Sequence, residues 1–376
     1  MRWFGRKAGR ASVRPSLFRA FAGAPASGEW PRSYEAQVRE AFIGNPVAQR
    51  AVRLVAESIA WAPVRAEDGA GGGAEASLKA LRLASPGLME TAAAQLLLHG
   101  NAYLQLLCDA DGEPAELFAL RPERVSVEAD AGGWPVAYLY KAGETKSRIA
   151  ARDGLGRPGV VHLKAMHPLD DHYGLGCLGA AAGAVAIHNA ATRWNKALLD
   201  NAARPSGALA IDDPDGALSQ EQFERLRAEL EREFAGAANA GRPLLLEGGL
   251  KWQALSLSPA EMDFAGLKAA AARDIALAFG VPPMLLGLPG DSTYANYREA
   301  NRALWRLTVL PLGEKILGGI AGALGAWWPG IGLGLDVDQV TALAEDRERL
   351  WAQVSGADFL SDAEKRAMLG VREEAK

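Results

Sequence analysis

Apolar residues recur at helical spacing soon after residue 45. Val47, Ala51, Leu54, Val55 and Ile59 fall on one stripe. The pair in front of them, Asn45-Pro46, is a helix start, with Asn45 as N-cap and Pro46 at the first helical position. Pro63 ends this helix. The Gly/Ala-rich run 68–76 reads as a flexible loop. Ser85-Pro86 opens a second helix and Gly100-Asn101 closes it. The period then shortens. Residues 102–108 form a compact apolar run, Asp111-Gly112 is a turn signal, and 116–120, 125–128, 136–140 and 160–164 are short strand segments. Residues 31–175 therefore predict an α+β unit, two helices followed by an antiparallel sheet.

Helical periodicity returns with Ile187, Ala190, Ala191, Trp194, Ala197 and Leu198. Asn189, Arg193, Lys196 and Asp200 lie on another face, and the helix ends near Arg204-Pro205. A small block follows. It has a strand at 208–211, a turn at 213–216, and a helix capped by Ser219 and Gln222 with Leu218 and Phe223 as staple. Phe223, Leu226, Leu230 and Phe234 are that helix's buried stripe. Strands at 243–247 and 252–257 complete the block. Ser258, Pro259 and Glu261 form a second capping box ahead of Phe264, Leu267, Ala271, Ile275 and Ala278, and Gly280 with Pro282-Pro283 stops this helix. A polar loop at 287–296 leads to a long helix from about Tyr297, with a kink expected at Pro311. A strand at 333–337 and two charged helices end the chain, the last capped by Ser361 and Glu364.

Composition narrows the function. At 49% hydrophobic and 23% charged residues the chain builds a core. Lys+Arg 41 against Asp+Glu 45 gives a net charge of −4, which excludes a wholesale basic coat for nucleic acid. Any DNA contact is local or weak. Two cysteines, Cys108 and Cys177, make no disulfide framework. The first nineteen residues carry Arg2, Arg6, Lys7, Arg10, Arg14 and Arg19 without an acid. No apolar stretch follows, so residues 1–30 are expected to be a mobile basic arm rather than a signal peptide. The uncharged run 316–328 is too short and too rich in glycine for a membrane span.

Catalytic patterns are missing. His162, His167 and His172 are spaced for neither one strand face nor one helix turn, and no HExxH, CxxC, GxSxG or Walker A pattern occurs. No metal, cofactor or catalytic residue is expected. Gly174, Gly176 and Gly179 do match GxGxxG. A dinucleotide site needs a strand running directly into the first glycine, and here Asp170, Asp171, His172 and Tyr173 intervene. A close-packed helix start explains the glycines better.

Several segments, in order, carry a family pattern. They are Gly100-Asn101-Ala102-Tyr103, Leu120-Arg121-Pro122-Glu123-Arg124-Val125, Asn201-Ala202-Ala203-Arg204-Pro205-Ser206-Gly207, and Trp252-Gln253-Ala254-Leu255-Ser256-Leu257-Ser258-Pro259. The strongest is Ala278-Phe279-Gly280-Val281-Pro282-Pro283-Met284-Leu285-Leu286-Gly287, followed by Tyr294-Ala295-Asn296 and Thr308-Val309-Leu310-Pro311. Over residues 40–320 the chain resembles the portal proteins of tailed bacteriophages and gene transfer agents. It departs from them at Gly176-Cys177-Leu178-Gly179, where the family often has a small-Ser-Pro-Leu stretch.

That resemblance implies a non-enzymatic ring, usually of twelve subunits, at one capsid vertex of a virion assembled in the bacterial cytoplasm. Double-stranded DNA would pass through it. Its partners would be the terminase large subunit, a head-tail adaptor and the major capsid protein, with no membrane. Carried onto this chain, 31–177 is the wing, 178–204 and 258–280 are stem helices, and 205–257 is the clip. Residues 281–297 are the tunnel loop, 298–332 a long kinked helix and 333–376 crown-like helices. Gly290, Asp291, Ser292, Thr293, Tyr294 and Asn296 are then the DNA-channel residues. Leu209, Ile211, Glu221 and Arg225 are the contacts to terminase or adaptor. Two other classes stay open on the residues alone: a dinucleotide-dependent oxidoreductase built on Gly174–179, and a scaffold that conducts no DNA.

Overall fold

Asn45 starts the first long helix as its sequence position predicts. In the computed structural model its side-chain oxygen accepts from the backbone N–H groups of Val47 and Ala48, both at 3.0 Å, and the helix runs Pro46–Ala60. The structure describes residues 30–31, 33–67, 73–200, 207–211, 220–222, 224–225, 228, 250–254, 263–288 and 294–370. The basic arm lies outside them.

The helices in chain order are α1 (Tyr34–Val38), α2 (Pro46–Ala60), α3 (Gly73–Leu83), α4 (Pro86–Leu98), α5 (Leu178–Asp200), α6 (Phe264–Ala278), α7 (Tyr294–Leu304), α8 (Leu310–Leu324), α9 (Ala344–Ser355) and α10 (Asp362–Leu369). The strands are β1 (Val64–Glu67), β2 (Asn101–Cys108), β3 (Pro114–Leu120), β4 (Val125–Ala129), β5 (Pro135–Ala142), β6 (Thr145–Ala150), β7 (Val160–Lys164), β8 (Gly207–Ile211), β9 (Leu250–Ala254) and β10 (Gly332–Leu335). The fold is α+β.

Helix α3 takes over the last part of the expected loop, residues 73–76; residues 68–72 lie outside the described residues. Ala76, Ser77, Ala80 and Leu83 bury one face of it, and alanine's high helix propensity carries the run once that face has a core to meet. The expected single sheet is two. Strands β3-β2-β7 make one antiparallel sheet and β4-β5-β6 another. A small second core of Tyr103, Leu120, Val125, Tyr138 and Val160 lies between them. The last strand reaches across the chain, pairing Leu335 with Val64 and Leu333 with Ala66.

One large core joins both halves of the chain. Ile59, Met89, Leu104, Leu178, Ile275, Phe279, Leu304, Ile316, Leu317 and Ile320 all belong to it. The helical run 295–324 is long and apolar enough to cross a bilayer by length and composition. Its apolar half is core: Ile316, Leu317, Ile320 and Leu324 are fully buried.

Helix α5 packs along α6, and the face it buries is only partly the one its apolar periodicity predicts, Ala191 being shared. Leu178, Ala181, Val185, His188, Asn189 and Ala191 are buried, whereas Ile187 and Trp194 are exposed. The reason is polar. The Asn45 amide donates to Asn189 Oδ1 at 2.8 Å and lies 3.2 Å from His188 Nδ1. Asn189 in turn donates to the Glu40 carbonyl at 3.0 Å and to its carboxylate at 3.1 Å. Buried amides satisfied this way cost little, and unsatisfied they cost much. The Asn189 amide and the Arg193 guanidinium hold the Glu40 carboxyl below the usual carboxylate range.

Two helix starts differ from expectation. Helix α6 begins at Phe264 with Asp263 as N-cap, its carboxylate accepting from Gly266 N–H at 3.1 Å; the expected box at 258–261 lies outside the described residues. Helix α7 begins at Tyr294, three residues early. The expected kink at Pro311 is a π-helical turn at Trp305–Val309 just before it. The wider turn absorbs the proline, which offers no N–H and crowds the preceding carbonyl. At the C-terminal end Ser361 and Glu364 form the full capping box.

Replacing Asn45 with alanine removes a cap and leaves the buried Asn189 Oδ1 without its donor. The expected loss is about 2–4 kcal/mol, read as a shift in denaturant midpoint at unchanged m-value.

Candidate functional site

The GxGxxG stretch sits where four pieces of backbone converge. Helix α4 ends, β2 begins, β7 ends and α5 starts within a few ångströms of one another. A Cβ built on Gly174 would stand 2.0 Å from the Gly100 carbonyl oxygen and 2.6 Å from the Ala165 nitrogen. One on Gly176 would stand 2.3 Å from the Leu98 carbonyl oxygen. Only glycine allows that approach. Gly179 faces open space. Asn101 ties the junction: its Oδ1 accepts from Gly174 N–H at 2.7 Å, and its amide donates to the Gly174 carbonyl at 3.1 Å. Gly174 N–H goes to Asn101 and Cys177 N–H to the Leu97 carbonyl at 2.8 Å, and the glycines serve close backbone packing, so nothing at this stretch supports the oxidoreductase alternative.

The clustered histidines are structural. His162 lies 3.1 Å from Asn101 Oδ1 and stacks on Tyr103 with ring centroids 4.2 Å apart. Burial pushes its pKa down to about 3 and that of His99 to about 4. His167 Nδ1 accepts from Leu169 N–H. Among the described residues no group of His, Cys, Asp and Glu could hold a metal ion.

The expected channel segment divides. Pro283–Leu286 forms a single 3₁₀ turn that Gly287 closes at φ +72°. Gly290, Asp291, Ser292 and Thr293 lie outside the described residues. Tyr294 and Asn296 belong to the first turn of α7 rather than to a loop, and Asn296 is exposed.

Helix α7 and the turn after it also carry a cationic stripe that motif reading missed. Arg298, Arg302 and Arg306 follow at intervals of four. Arg298 pairs with Glu345. Arg302 reaches Glu345 at 2.6 Å, Glu299 at 3.0 Å and Asp346 at 3.5 Å, with its side chain only 13% exposed. Arg306 lies 3.9 Å from Asp346. Glu345 and Asp346 open α9, where a helix N-terminus favours carboxylates. The i, i+4 spacing was visible in the sequence; its distant partner was not.

In the 205–257 block, β8 and β9 pair antiparallel, Leu209 with Trp252 and Ile211 with Leu250. Glu221 and Arg225 form an exposed pair at 3.1 Å on a helical segment, worth only about 0.3–0.5 kcal/mol. The Ser219 cap, the staple and the strand at 243–247 lie outside the described residues.

Helices α5 and α6 leave apolar side chains uncovered. Trp194 stacks on Phe264 with centroids 5.7 Å apart. Ile187 and Leu267 are about half exposed, and Leu277 is 77% exposed.

The profile of one family, phage portal protein, matches residues 46–370. The chain belongs to the phage portal protein family. An uncharacterized protein of Rickettsia felis is 43% identical over 349 residues, covering 88% of each chain. A probable portal protein of Streptomyces phage phiC31 is 27% identical over 81% of this chain and 67% of that protein. Among solved structures, the neck of an empty gene transfer agent particle, computed with C6 symmetry, contains a chain 47% identical. It has a TM-score of 0.69, over 92% of this chain and 96% of that one. A HK97 family phage portal protein from Corynebacterium diphtheriae shares the fold at 17% identity, TM-score 0.57, over 82% of this chain and 96% of that one. The portal-type α+β fold expected from the sequence is the fold found.

The glycine junction makes a sharp prediction. Gly174→Ala should cost more than about 3 kcal/mol or prevent folding, because its Cβ meets backbone. Gly179→Ala, inside α5 with room around it, should be neutral or stabilise by up to about 1 kcal/mol. Thermal denaturation of the two variants checks this; a nucleotide fingerprint would make both tolerable for folding.

Proposed function

We propose that the chain assembles into the portal ring at one capsid vertex of a gene transfer agent or phage particle, where DNA enters and leaves. The observation that carries this reading is the 47% identity, over 92% of the chain, to the neck chain of a gene transfer agent particle. That neck was also solved with C12 symmetry, in the native particle, and a twelve-fold ring is the stoichiometry we assign here. The role is structural rather than enzymatic.

The segments take portal roles accordingly. Residues 31–177 form the wing, α5 and α6 the stem, 205–257 the clip, 281–297 the tunnel segment, and 333–376 the crown-like end. The uncovered apolar face of α5 and α6 supports the stem assignment, because burying Leu277, Leu267 and Ile187 between neighbouring subunits removes apolar surface from water. Among the described residues β8 and β9 pair with each other alone, and a neighbour's strand could complete such a pair. Terminase large subunit and the head-tail adaptor would dock on the clip near Leu209, Ile211, Glu221 and Arg225. The capsid protein would hold the wing.

Purified protein should give a mass many times 39.8 kDa by light scattering and a ring with a central hole in micrographs. Leu277→Glu with Leu267→Glu should yield folded monomers with an unchanged circular dichroism spectrum. A small, hole-free oligomer from the parent protein would overturn the ring.

The channel role of 287–296 has its own test. The segment contains Gly, Leu, Pro, Asp, Ser, Thr, Tyr, Ala and Asn but no Lys or Arg, so it can touch phosphates without gripping them. Ser292→Lys, Thr293→Lys and Asn296→Lys together should leave ring assembly intact and slow or stall DNA packaging. Normal packaging by that ring would remove the segment from the channel.

A further inference from the structure

We propose that Glu345 and Asp346 are charge-masking residues of the channel: they hold Arg298, Arg302 and Arg306 in ion pairs and so keep the DNA-facing helix from gripping phosphate. The inference rests on the portal reading above and extends it to residues far from the tunnel segment in sequence.

The geometry is a ladder. The three arginines stand at successive turns of one stripe that begins at Tyr294, directly after the segment assigned to the channel wall. Two carboxylates from the first turn of α9 serve all three, and Glu299 adds a third carboxylate to Arg302. Glu345 bridges Arg298 and Arg302; Asp346 bridges Arg302 and Arg306. Arg302 is nearly enclosed, but the side chains of Arg298 and Arg306 are 50% and 63% exposed. Freed from their partners they could reach a passing phosphate. Helix α9 is itself anchored. Arg347 pairs with Asp338 and donates to the Leu369 carbonyl at 3.1 Å, so the carboxylates are presented by a braced C-terminal unit.

Masking matters because a ring multiplies it. The exposed guanidinium groups of Arg298 and Arg306 without these two carboxylates, repeated around a closed ring, would add many phosphate contacts at one level of the channel. Each neutralised phosphate steepens the dependence of log affinity on log salt by about 0.9. A wall of that kind holds DNA instead of passing it. Carboxylates at the same level turn the cations into a near-neutral surface without removing their structural role.

The test uses assembled full-length rings and a linear DNA duplex, with binding followed across a salt series. Glu345→Gln with Asp346→Asn should tighten binding about tenfold or more at low salt and steepen the salt slope by about one unit or more. Adding Arg298→Gln and Arg306→Gln to that ring should return both to parental values. Should the double variant fail to assemble, Asp346→Asn alone, which frees the loosest pair at Arg306, should give a smaller gain of the same kind. The ring carrying lysines at 292, 293 and 296 is measured in parallel. If it gains affinity and the carboxylate variants do not, masking is wrong and the channel reading stands. If none gains affinity, both fall. A gain that persists after the arginines are removed also overturns the proposal.

Discussion

Backbone contact at Gly100, Gly174 and Gly176 is the constraint on which the rest of the architecture hangs. A helix that must leave a sheet unit in a set direction needs its first turn fixed against that unit. Side chains alone would hold it at the usual packing distance. Here the main chain of 174–176 lies directly on the end of α4 and the start of β2, and Asn101 brackets Gly174 from both its N–H and its carbonyl. The direction of α5 follows from this. A second tether, from Asn45 and Glu40 to Asn189, lies eleven residues into the helix. Two fixed points separated by three turns define an axis, and α6 packs along it. If α5 and α6 are the stem, their angle to the wing is set by these polar and backbone contacts together with the apolar core that takes in Leu178, Ala181, Val185 and Ile275.

That choice releases the apolar face of α5. With Asn189 and His188 turned inward, Ile187 is left half exposed, and Trp194 stays 41% exposed although it stacks on Phe264 of α6. A monomer gains nothing from exposing tryptophan. A ring does, since each subunit then offers a greasy flank to its neighbour while its own orientation stays locked by hydrogen bonds. The division suits a particle component that must fold before it assembles. Folding is specified by groups that demand particular partners, and association by groups that accept any well-packed apolar surface.

Much of this was legible in the sequence wherever the signal is local. Asn45-Pro46 and Ser361 with Glu364 placed their helices because capping satisfies backbone groups within one turn; at Ser85 no side-chain cap forms, and Pro86 at the first helical position marks the start. The strand at 102–108 emerged as a compact apolar run, and those at 116–120 and 160–164 as short segments set off by turn residues. The intervening polar residues 170–173 correctly argued against a dinucleotide turn, and the portal resemblance came from ordered short motifs that no single element carries. The misses have physical causes too. Helix α3 was hidden because Gly and Ala read as flexible until a core gives their small face something to touch. Helix α5 was rotated in the reading because apolar periodicity assumes that polar residues point outward, and Asn189 is buried against partners about 145 positions away. The pairing of β1 with β10 and the arginine ladder are long-range in the same sense: each half looks like an ordinary exposed segment until its partner is known.

The ladder and the apolar flank answer one problem from opposite sides. A conduit for DNA needs a wall cationic enough to tolerate a polyanion and neutral enough to release it. A net charge of −4 with the first nineteen residues carrying six basic groups leaves the remainder of the chain more acidic still. Distributing that acidity at random would repel DNA from everything. Concentrating carboxylates onto the arginines of α7 instead cancels charge locally, within the roughly 10 Å over which exposed charges act at moderate salt. In the proposed ring the cations link α7 to the C-terminal helices, and their pairing with Glu345 and Asp346 would remove their electrostatic reach toward DNA.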